Sequence, residues 1–201
     1  MSAPRTRSRL GTAERRAQLL RIGAEKFGTQ AYDDVWMESV AAAAGVSVGL
    51  IYHYFGNKKA FAAAVVEAQS EALLAEMRTD ASQPLDRQVR DALDAYLRFV
   101  EANEHGYRAL RNAAAMADED VRAIVDRNTA ELERRIAAAL GCSAAVPADV
   151  ALTVHGWVAF TVAVCLRWLD DRGMDRDAVR DLCARALLRV VAPPEMICPP
   201  E

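Results

Sequence analysis

Two consecutive lysines, Lys58 and Lys59, follow Asn57 at the point where a long helical pattern begins. Cations in the first turn of a helix oppose the helix dipole, so this placement is locally unfavourable. A phosphate bound at the same end reverses the sign, because the free backbone N–H groups and both ammonium groups then face an anion. The spacing therefore predicts a phosphate-binding helix start rather than a solvated pair of charges.

The stretch from Met37 to Tyr54 predicts two short helices joined by a tight turn. Apolar residues recur at helical spacing up to Ala44, Gly45 can adopt a positive φ, and Ser47 is a suitable N-cap for the second helix. This is the pattern of a helix-turn-helix, whose second helix enters a major groove. Two helices joined by glycine also occur in all-α proteins that never contact DNA, so the turn alone leaves both interpretations open.

The flanks of this turn resemble the signature of the TetR family of bacterial transcriptional regulators. Residues 45–59, GVSVGLIYHYFGNKK, carry most of the resemblance, and Phe27, Gly28 and Tyr32 extend it upstream. It covers the first third of the chain, and what it implies for the remainder follows from the family's architecture.

The resemblance implies an all-α fold in two parts. Residues 1–56 would form an N-terminal arm and a three-helix helix-turn-helix domain, the head. The fourth helix would join the head to a larger helical domain for ligand binding and dimerisation, residues 57–201. A homodimer would then present two heads to a pseudo-palindromic operator of double-stranded DNA in the cytoplasm, most commonly as a repressor that a small-molecule effector releases.

The family pattern, followed position by position, places eight residues at the DNA: Ser47, Val48, Gly49, Leu50, Tyr52, His53, Tyr54 and Lys58. Val48 and Leu50 can offer base edges only apolar contact, which suits thymine methyl groups. The aromatic residues have an alternative, which is packing in a cluster with Phe55 and Phe61, and for Tyr54 both interpretations remain open.

The start of the second helix departs from the family, which commonly has Thr or Ser there to contact a phosphate. This chain has Val35 and Trp36 instead, so the usual hydroxyl contact is in doubt. Asp33 or Asp34 is expected to cap this helix, and both carboxylates would repel DNA unless they turn away.

The charge distribution agrees with a DNA-binding head. The chain has a net charge of −3, but residues 1–60 carry nine lysines and arginines against five acids, +4, which leaves −7 for the remainder. A basic end on an acidic body suggests that one face meets a polyanion. Arginines at positions 5, 7 and 9 form either a solvated tail or a groove-following arm.

Helical periodicity continues through the body, and no alternating pattern predicts strands. The first helix is expected to open at Thr12 as N-cap, and Gly106 is expected to interrupt the chain before a short helix that ends at Met116. The last helix, residues 176–191, is expected to turn five side chains inward: Val179, Leu182, Cys183, Ala186 and Val190.

The run from Val150 to Leu166 has no charged residue. It is shorter than the roughly 20 residues that a membrane span needs, and it contains His155 and two threonines. A helix that is apolar all round is buried on all sides, so in a small protein part of its surface needs a partner. The resemblance implies that the last two helices pair with their copies in a second subunit, without a membrane.

An effector pocket is expected among the C-terminal helices, with His155 as a polar anchor. Its candidate lining residues are aromatic, sulfur-containing or polar: Tyr96, Phe99, Tyr107, Met116, His155, Trp157 and Phe160. Each of them has an alternative role in the ordinary core or in a dimer interface.

The sequence gives less support to other classes of protein. No nucleophile set and no phosphate loop supports an enzyme, and the four cysteines show neither CxxC pairing nor metal-ligand spacing, so no cofactor or metal is predicted. Cys142, beside Gly141, is the candidate thiol for a thiol-responsive regulator. A membrane-surface protein would need a basic face that the uncharged helix lacks. A helical ligand-binding protein without selective DNA binding stays open.

Overall fold

The computed structural model describes residues 11–115, 119–142 and 145–191. They form helices and one short 3-10 turn, Tyr32–Asp34, without a strand in these ranges. The N-terminal arginines, Met116 and Cys198 lie outside the described residues. The helices are α1 (Thr12–Thr29), α2 (Met37–Ala44), α3 (Val48–Phe55), α4 (Lys58–Glu76), α5 (Leu85–Ala102), α6 (Glu104–Ala115), α7 (Glu119–Ala139), α8 (Ala148–Asp171) and α9 (Arg176–Val191).

The head, which contains α1, α2 and α3, packs against the first half of α4. Phe61 and Val65 of α4 are buried in its core, together with Leu19 and Ile51. Gly23 allows α1 and α4 to approach closely, because a Cβ there would lie 2.6 Å from the Val65 side chain. Helix α4 is thus an integral wall of the head.

The body contains two further groups of buried residues, formed mainly by α5, α8 and α9, with α7 in one and α6 in the other. The far end of α4 packs here too, through Leu73 and Met77. One helix therefore contributes to the cores at both ends, which makes α4 the mechanical link that the sequence predicted. Where one domain ends and the next begins stays a prediction.

Arginine–carboxylate pairs hold the body together at the α8–α9 turn. Arg172 donates to Glu101 at 3.0 Å and to Glu104 at 2.8 Å, and Arg176 donates to Glu101 at 3.0 Å. Arg108 adds a bond to Glu104 at 3.0 Å. These contacts fasten the α5–α6 corner to α8 and α9.

Three local expectations were wrong. The N-cap of α1 is Gly11, whose N–H donates to the Glu14 carboxylate at 2.9 Å, so the helix begins one residue earlier than a threonine cap would allow. Asp33 lies in the 3-10 turn, and the N-cap of α2 is Trp36 without a side-chain cap. Gly106 lies inside α6, where a Cβ would be 3.1 Å from the Phe27 carbonyl oxygen of α1.

The inward face of α9 was also wrong in part. Val179 and Cys183 are buried as predicted, but Leu182 and Val190 are 36% and 52% exposed. Ala184, Leu187 and Val191 are buried instead. The buried face of α9 is displaced by about one residue from the predicted face, and this leaves apolar side chains facing outward.

Candidate nucleic-acid interface and regulatory cavity

The turn between α2 and α3 has the geometry that its residues predict. Gly45 adopts φ 66° and ψ 37°, the left-handed conformation that favours glycine. The Ser47 hydroxyl accepts a hydrogen bond from the Leu50 N–H at 3.2 Å and caps α3. Ile51 is fully buried in the same core cluster as Val40 of α2, so the opposite face of α3 is presented to solvent.

The eight predicted DNA-facing residues divide into two groups. Ser47, Gly49, Tyr52 and His53 are exposed, whereas Val48, Leu50, Tyr54 and Lys58 are half-buried. Val48 and Tyr54 pack against the head core, and the Tyr54 ring lies 6.2 Å from Phe55. The exposed face of α3 thus offers one hydroxyl group, one imidazole and one phenol beside small apolar atoms.

Lys58 is held in place at the start of α4. Asn57 caps this helix by accepting a hydrogen bond from the Ala60 N–H at 2.8 Å. The Lys58 ammonium donates to the Asp33 carbonyl oxygen at 3.4 Å and lies 4.6 Å from the centre of the Tyr32 ring. It makes no ion pair with a carboxylate in the described ranges, so its charge is available to an anion.

The predicted pocket residues do not all meet in one place. Tyr96 and Trp157 line a cavity in the body, whereas Phe99 and Tyr107 line a cleft between α1, α4 and α6. His155 and Phe160 line neither space: the side chain of His155 is 66% exposed and bonds to Glu133 at 2.8 Å, and Phe160 is 40% exposed. The polar anchor expected at His155 therefore lies on the surface.

The body cavity measures about 80 Å³ and has apolar walls from α5, α7, α8 and α9. Thr161 contributes apolar atoms to its lining, since no polar surface faces the cavity, and its buried hydroxyl oxygen has no hydrogen-bond partner in the described structure. Sequence reasoning missed Thr161, although a threonine in an uncharged helix is a recognisable signal. A buried hydroxyl without a partner is costly, so a ligand group that bonds to it gains stability.

A second cavity, of about 70 Å³, adjoins the first and shares Met77, Val89 and Leu132 with it. It reaches Gln88 and Arg135 at the end of the body near the α4–α5 connection. We call these two adjoining spaces together the channel; Thr161 lines only the first space and Arg135 lines only the second.

The hydroxyl oxygens of Tyr96 and Tyr107 share a hydrogen bond of 2.5 Å inside the body. Burial raises the pKa of Tyr107 to about 12 and that of Tyr96 well above its ordinary range. Both groups therefore stay protonated at neutral pH and act as hydrogen-bonding groups rather than as acids.

The three cysteines that the structure describes do not offer a reactive thiolate. Burial raises the pKa of Cys165 to about 12 and that of Cys183 to about 11, far above the value for a reactive thiol. Cys142 is 4% exposed and is not a free thiol. The described residues also contain no group of three or more His, Cys, Asp or Glu that could hold a metal ion.

Two family models match the chain. Residues 19–65 match a model described as bacterial regulatory proteins, tetR family, and residues 85–190 match one described as tetracyclin repressor-like, C-terminal domain. The first covers the helix-turn-helix and the start of α4. The second covers the body that contains the channel.

The proteins that are similar to this chain in sequence or fold include transcriptional regulators, one of them solved with a bound ligand. A curated relative, the HTH-type transcriptional activator FasR of Mycolicibacterium smegmatis, is 28% identical over 175 residues, 85% of this chain and 80% of that protein. The crystal structure of a tetR-family transcriptional regulator from Streptomyces coelicolor aligns with a TM-score of 0.84 and 28% identity over 94% of this chain and 86% of that one.

The regulator FadR of Bacillus subtilis, solved in complex with stearoyl-CoA, aligns with a TM-score of 0.68 over 85% of this chain and 96% of that one. Its sequence is 15% identical, so this likeness extends to the fold alone.

Proposed function

Because the chain belongs to the tetR family of bacterial regulatory proteins, a family of transcriptional regulators and not of enzymes, we propose that it binds a pseudo-palindromic operator as a homodimer and that a small molecule in its body controls this binding. The observation that carries the proposal is Lys58, which makes no ion pair with a carboxylate in the part of the chain that the structure describes and is held three residues after the end of the capped helix α3. A protein that binds an operator in a bacterium acts in the cytoplasm, and we propose this location.

The dimer would form through α8 and α9. These helices carry exposed apolar side chains on the surface of one protomer: Leu152, Phe160, Leu182 and Val190. Helix α8 is also long and apolar enough to cross a membrane, with a mean hydropathy of 1.7, yet its other side packs into the body core. A second copy covers such a face without removing the body from water, so a four-helix bundle is the arrangement we favour over a bilayer.

The effector we propose is an amphipathic molecule with a long apolar chain. The channel walls offer apolar surface, and Arg135 lines the second space. Arg135 bonds to Glu131 at 2.6 Å and to the Leu74 carbonyl oxygen, so an anionic group of the effector would compete with Glu131 for this guanidinium. An acyl-CoA has the matching chemistry, and the B. subtilis protein of the same fold was solved with stearoyl-CoA. Stearoyl-CoA is therefore the first probe, and free CoA is its control.

Ligand entry would act on the heads through α7 and α4. A cavity of about 80 Å³ is too small for an acyl chain, so binding has to move the walls apart. Two contacts fasten α7 to α4: Arg127 donates to Glu67 at 2.8 Å, and Arg135 donates to the Leu74 carbonyl oxygen. A shift of α7 would thus displace α4, change the spacing of the two heads and weaken operator binding.

Repression is the effect expected from the family's common habit. Activation is the second candidate, and the observation that favours it is the similarity to FasR, which is described as an activator. A promoter–reporter fusion in cells with and without the gene distinguishes the two by the sign of the change.

The first experiment is selection of duplex DNA from a random-sequence pool by the purified full-length protein. We expect an enriched sequence with two related half-sites, bound by two protomers. Stearoyl-CoA, but not CoA, should release it. A folded dimer that enriches no sequence would overturn the proposal and favour a helical ligand-binding protein without selective DNA binding.

A further inference from the structure

Trp36 has the most exposed ring of the described tryptophan, tyrosine and phenylalanine residues, with 71% of its surface accessible. Its neighbour Val35 is fully buried in the head core. Both residues have extended backbone angles, and successive side chains of an extended backbone point in opposite directions. The buried valine therefore fixes the indole on the outside of the head.

The indole N–H of Trp36 differs from those of the other two tryptophans. Trp157 donates to the Cys183 carbonyl oxygen at 2.9 Å, and Trp168 donates to the Met174 carbonyl oxygen at 2.8 Å. Trp36 makes no such bond within the described residues. Exposure of the apolar ring to water is unfavourable, and the indole N–H can only donate a hydrogen bond. The side chain is therefore suited to an acceptor on another molecule.

The backbone that carries this side chain is held firmly. The Trp36 carbonyl oxygen accepts from the Ser39 hydroxyl at 2.7 Å and from the Ser39 and Val40 N–H groups at 3.0 and 3.3 Å. The N-cap side chain itself accepts no hydrogen bond, so the first N–H groups of α2 also lack a side-chain acceptor. A fixed donor loses little conformational freedom when an acceptor binds.

Trp36 lies at the same end of the head as Lys58, which we call the lysine clamp. Lys58 is anchored 3.4 Å from the Asp33 carbonyl oxygen, and Trp36 follows Asp33 by three residues, a reach of at most about 11 Å. The clamp and the indole are therefore near enough to meet neighbouring parts of one DNA backbone. Asp33 and Asp34 are exposed in the same turn, so a contact here requires a long side chain that extends past them.

We propose that the Trp36 indole N–H donates a hydrogen bond to a phosphate oxygen of the operator while its ring lies against the adjoining deoxyribose. This contact rests on the proposed function and adds a second kind of backbone contact to the clamp. Trp36 is electrically neutral, so it positions the head without neutralising a phosphate. The charge-based contact at Lys58 and the neutral contact at Trp36 then have different salt dependence.

The test uses the full-length protein and the duplex selected from the random pool. Tryptophan emission is followed as unlabelled duplex is added, and affinity is measured by anisotropy of a labelled duplex between low and high salt. Trp36→Phe keeps an aromatic ring without the N–H, and Trp36→Ala removes both. Lys58→Ala is the comparison variant at the same end of the head. Circular dichroism checks that each variant is folded.

We expect the wild-type emission to change on binding and the Trp36→Phe emission to stay constant, although Trp157 and Trp168 remain in that variant. Trp36→Phe should weaken binding about tenfold to a hundredfold per half-site, as for the loss of one hydrogen bond to a charged group. Trp36→Ala should weaken it further. The slope of log affinity against log salt should match the wild type in both variants and become shallower only in Lys58→Ala.

Three outcomes would overturn the inference. Unchanged emission at saturation would place Trp36 away from DNA. A change in emission with wild-type affinity in Trp36→Phe would exclude the hydrogen bond. A wild-type protein that selects no duplex would overturn the proposed function and this contact together, whereas selective binding that is indifferent to Trp36 overturns this contact alone.

Discussion

The hydroxyl groups of Tyr96 and Tyr107 are 2.5 Å apart, yet the two side chains line different spaces. Tyr96 lines the body cavity, and Tyr107 lines the cleft beside α1. The residue before Tyr107 is Gly106, which packs directly on the backbone of Phe27. This pair therefore connects the wall of the proposed effector channel to the first helix of the head.

Removing both hydroxyl groups of this pair should destabilise the protein by less than the sum of the two single removals. Tyr96→Phe leaves the buried Tyr107 hydroxyl without its partner, and we expect a loss of about 1–3 kcal/mol in the free energy of unfolding. The double variant Tyr96→Phe/Tyr107→Phe leaves neither group unpaired, so its loss should be smaller than the sum of the single losses. Urea unfolding of all four proteins measures the coupling, and strict additivity would contradict it.

Replacing Lys58 should change how DNA binding depends on salt. Lys58→Ala removes one phosphate contact per protomer, so the slope of log affinity against log salt should become shallower by about one for each half-site. Arg87→Ala is the control, because it removes an exposed cation from α5 in the body. An equal change in the two variants would mean that Lys58 acts only through net charge.

Gly106→Ala should loosen the contact between α6 and α1. An exposed helical glycine normally gains about 1 kcal/mol on replacement by alanine. Here the new Cβ would lie 3.1 Å from the Phe27 carbonyl oxygen, and both partners are backbone atoms in helices. We expect a net loss of about 1–3 kcal/mol in thermal or urea unfolding, as for other overpacked contacts. A more stable variant would show that α6 moves aside without cost.

Leu152→Arg should separate the dimer. Leu152 is 73% exposed in one protomer, and a charge placed in a buried apolar interface lacks a partner. Sedimentation should give a monomer at concentrations where the wild type is a dimer. Met174→Arg is the control, since Met174 is 45% exposed but lies in the α8–α9 connection. A dimeric Leu152→Arg would exclude this part of α8 from the interface.

Acidification should weaken the ion pairs at the α8–α9 turn. Burial alone would raise the pKa of Glu104, but hydrogen bonds from Arg108 and Arg172 and their charges outweigh it, so this pKa lies below the ordinary value of 4.5. The stabilisation is complete above about pH 4.5 and is lost as the pH falls through the pKa of the folded state. The Tm of the wild type should exceed that of Glu104→Gln at pH 6, and the difference should shrink as the pH falls below 4.5.

Glu76→Gln provides the control for that titration, because Glu76 is an exposed carboxylate at the end of α4. Its Tm should follow the wild type at every pH. A Glu104→Gln variant that keeps the wild-type Tm at pH 6 would show that the pairs add nothing to stability.

The sequence was most informative where a residue broke a local rule. Gly45 interrupts an apolar helix, and the fold supplies the reason, because this residue adopts the left-handed conformation. Lys58 opposes the helix dipole, and the phosphate that would explain it stays a prediction. The two helix-turn-helix elements and all long helices of the body follow from periodicity and caps. Local capping was less predictable, because Gly11 competes with the neighbouring threonine and the 3-10 turn takes up Asp33.

The sequence could not predict which residues line the cavity, because α8 is apolar on every side. Periodicity identifies an inward face only when the opposite face is polar, and here one side meets the cavity and another faces outward. Thr161 and His155 lie on the same helix six residues apart, yet only Thr161 reaches the cavity. The same ambiguity explains Leu182 and Val190 on α9.

The narrowness of the channel has a kinetic consequence. Since a cavity of about 80 Å³ cannot admit an acyl chain as it stands, association has to wait until the helices around it separate. The observed rate of effector binding would then rise with effector concentration only up to a ceiling, which is the rate of that separation. At effector concentrations high enough to reach this ceiling, the rate of helix separation would set the time between the arrival of the effector and a change in transcription. A further increase in effector concentration would not shorten that time.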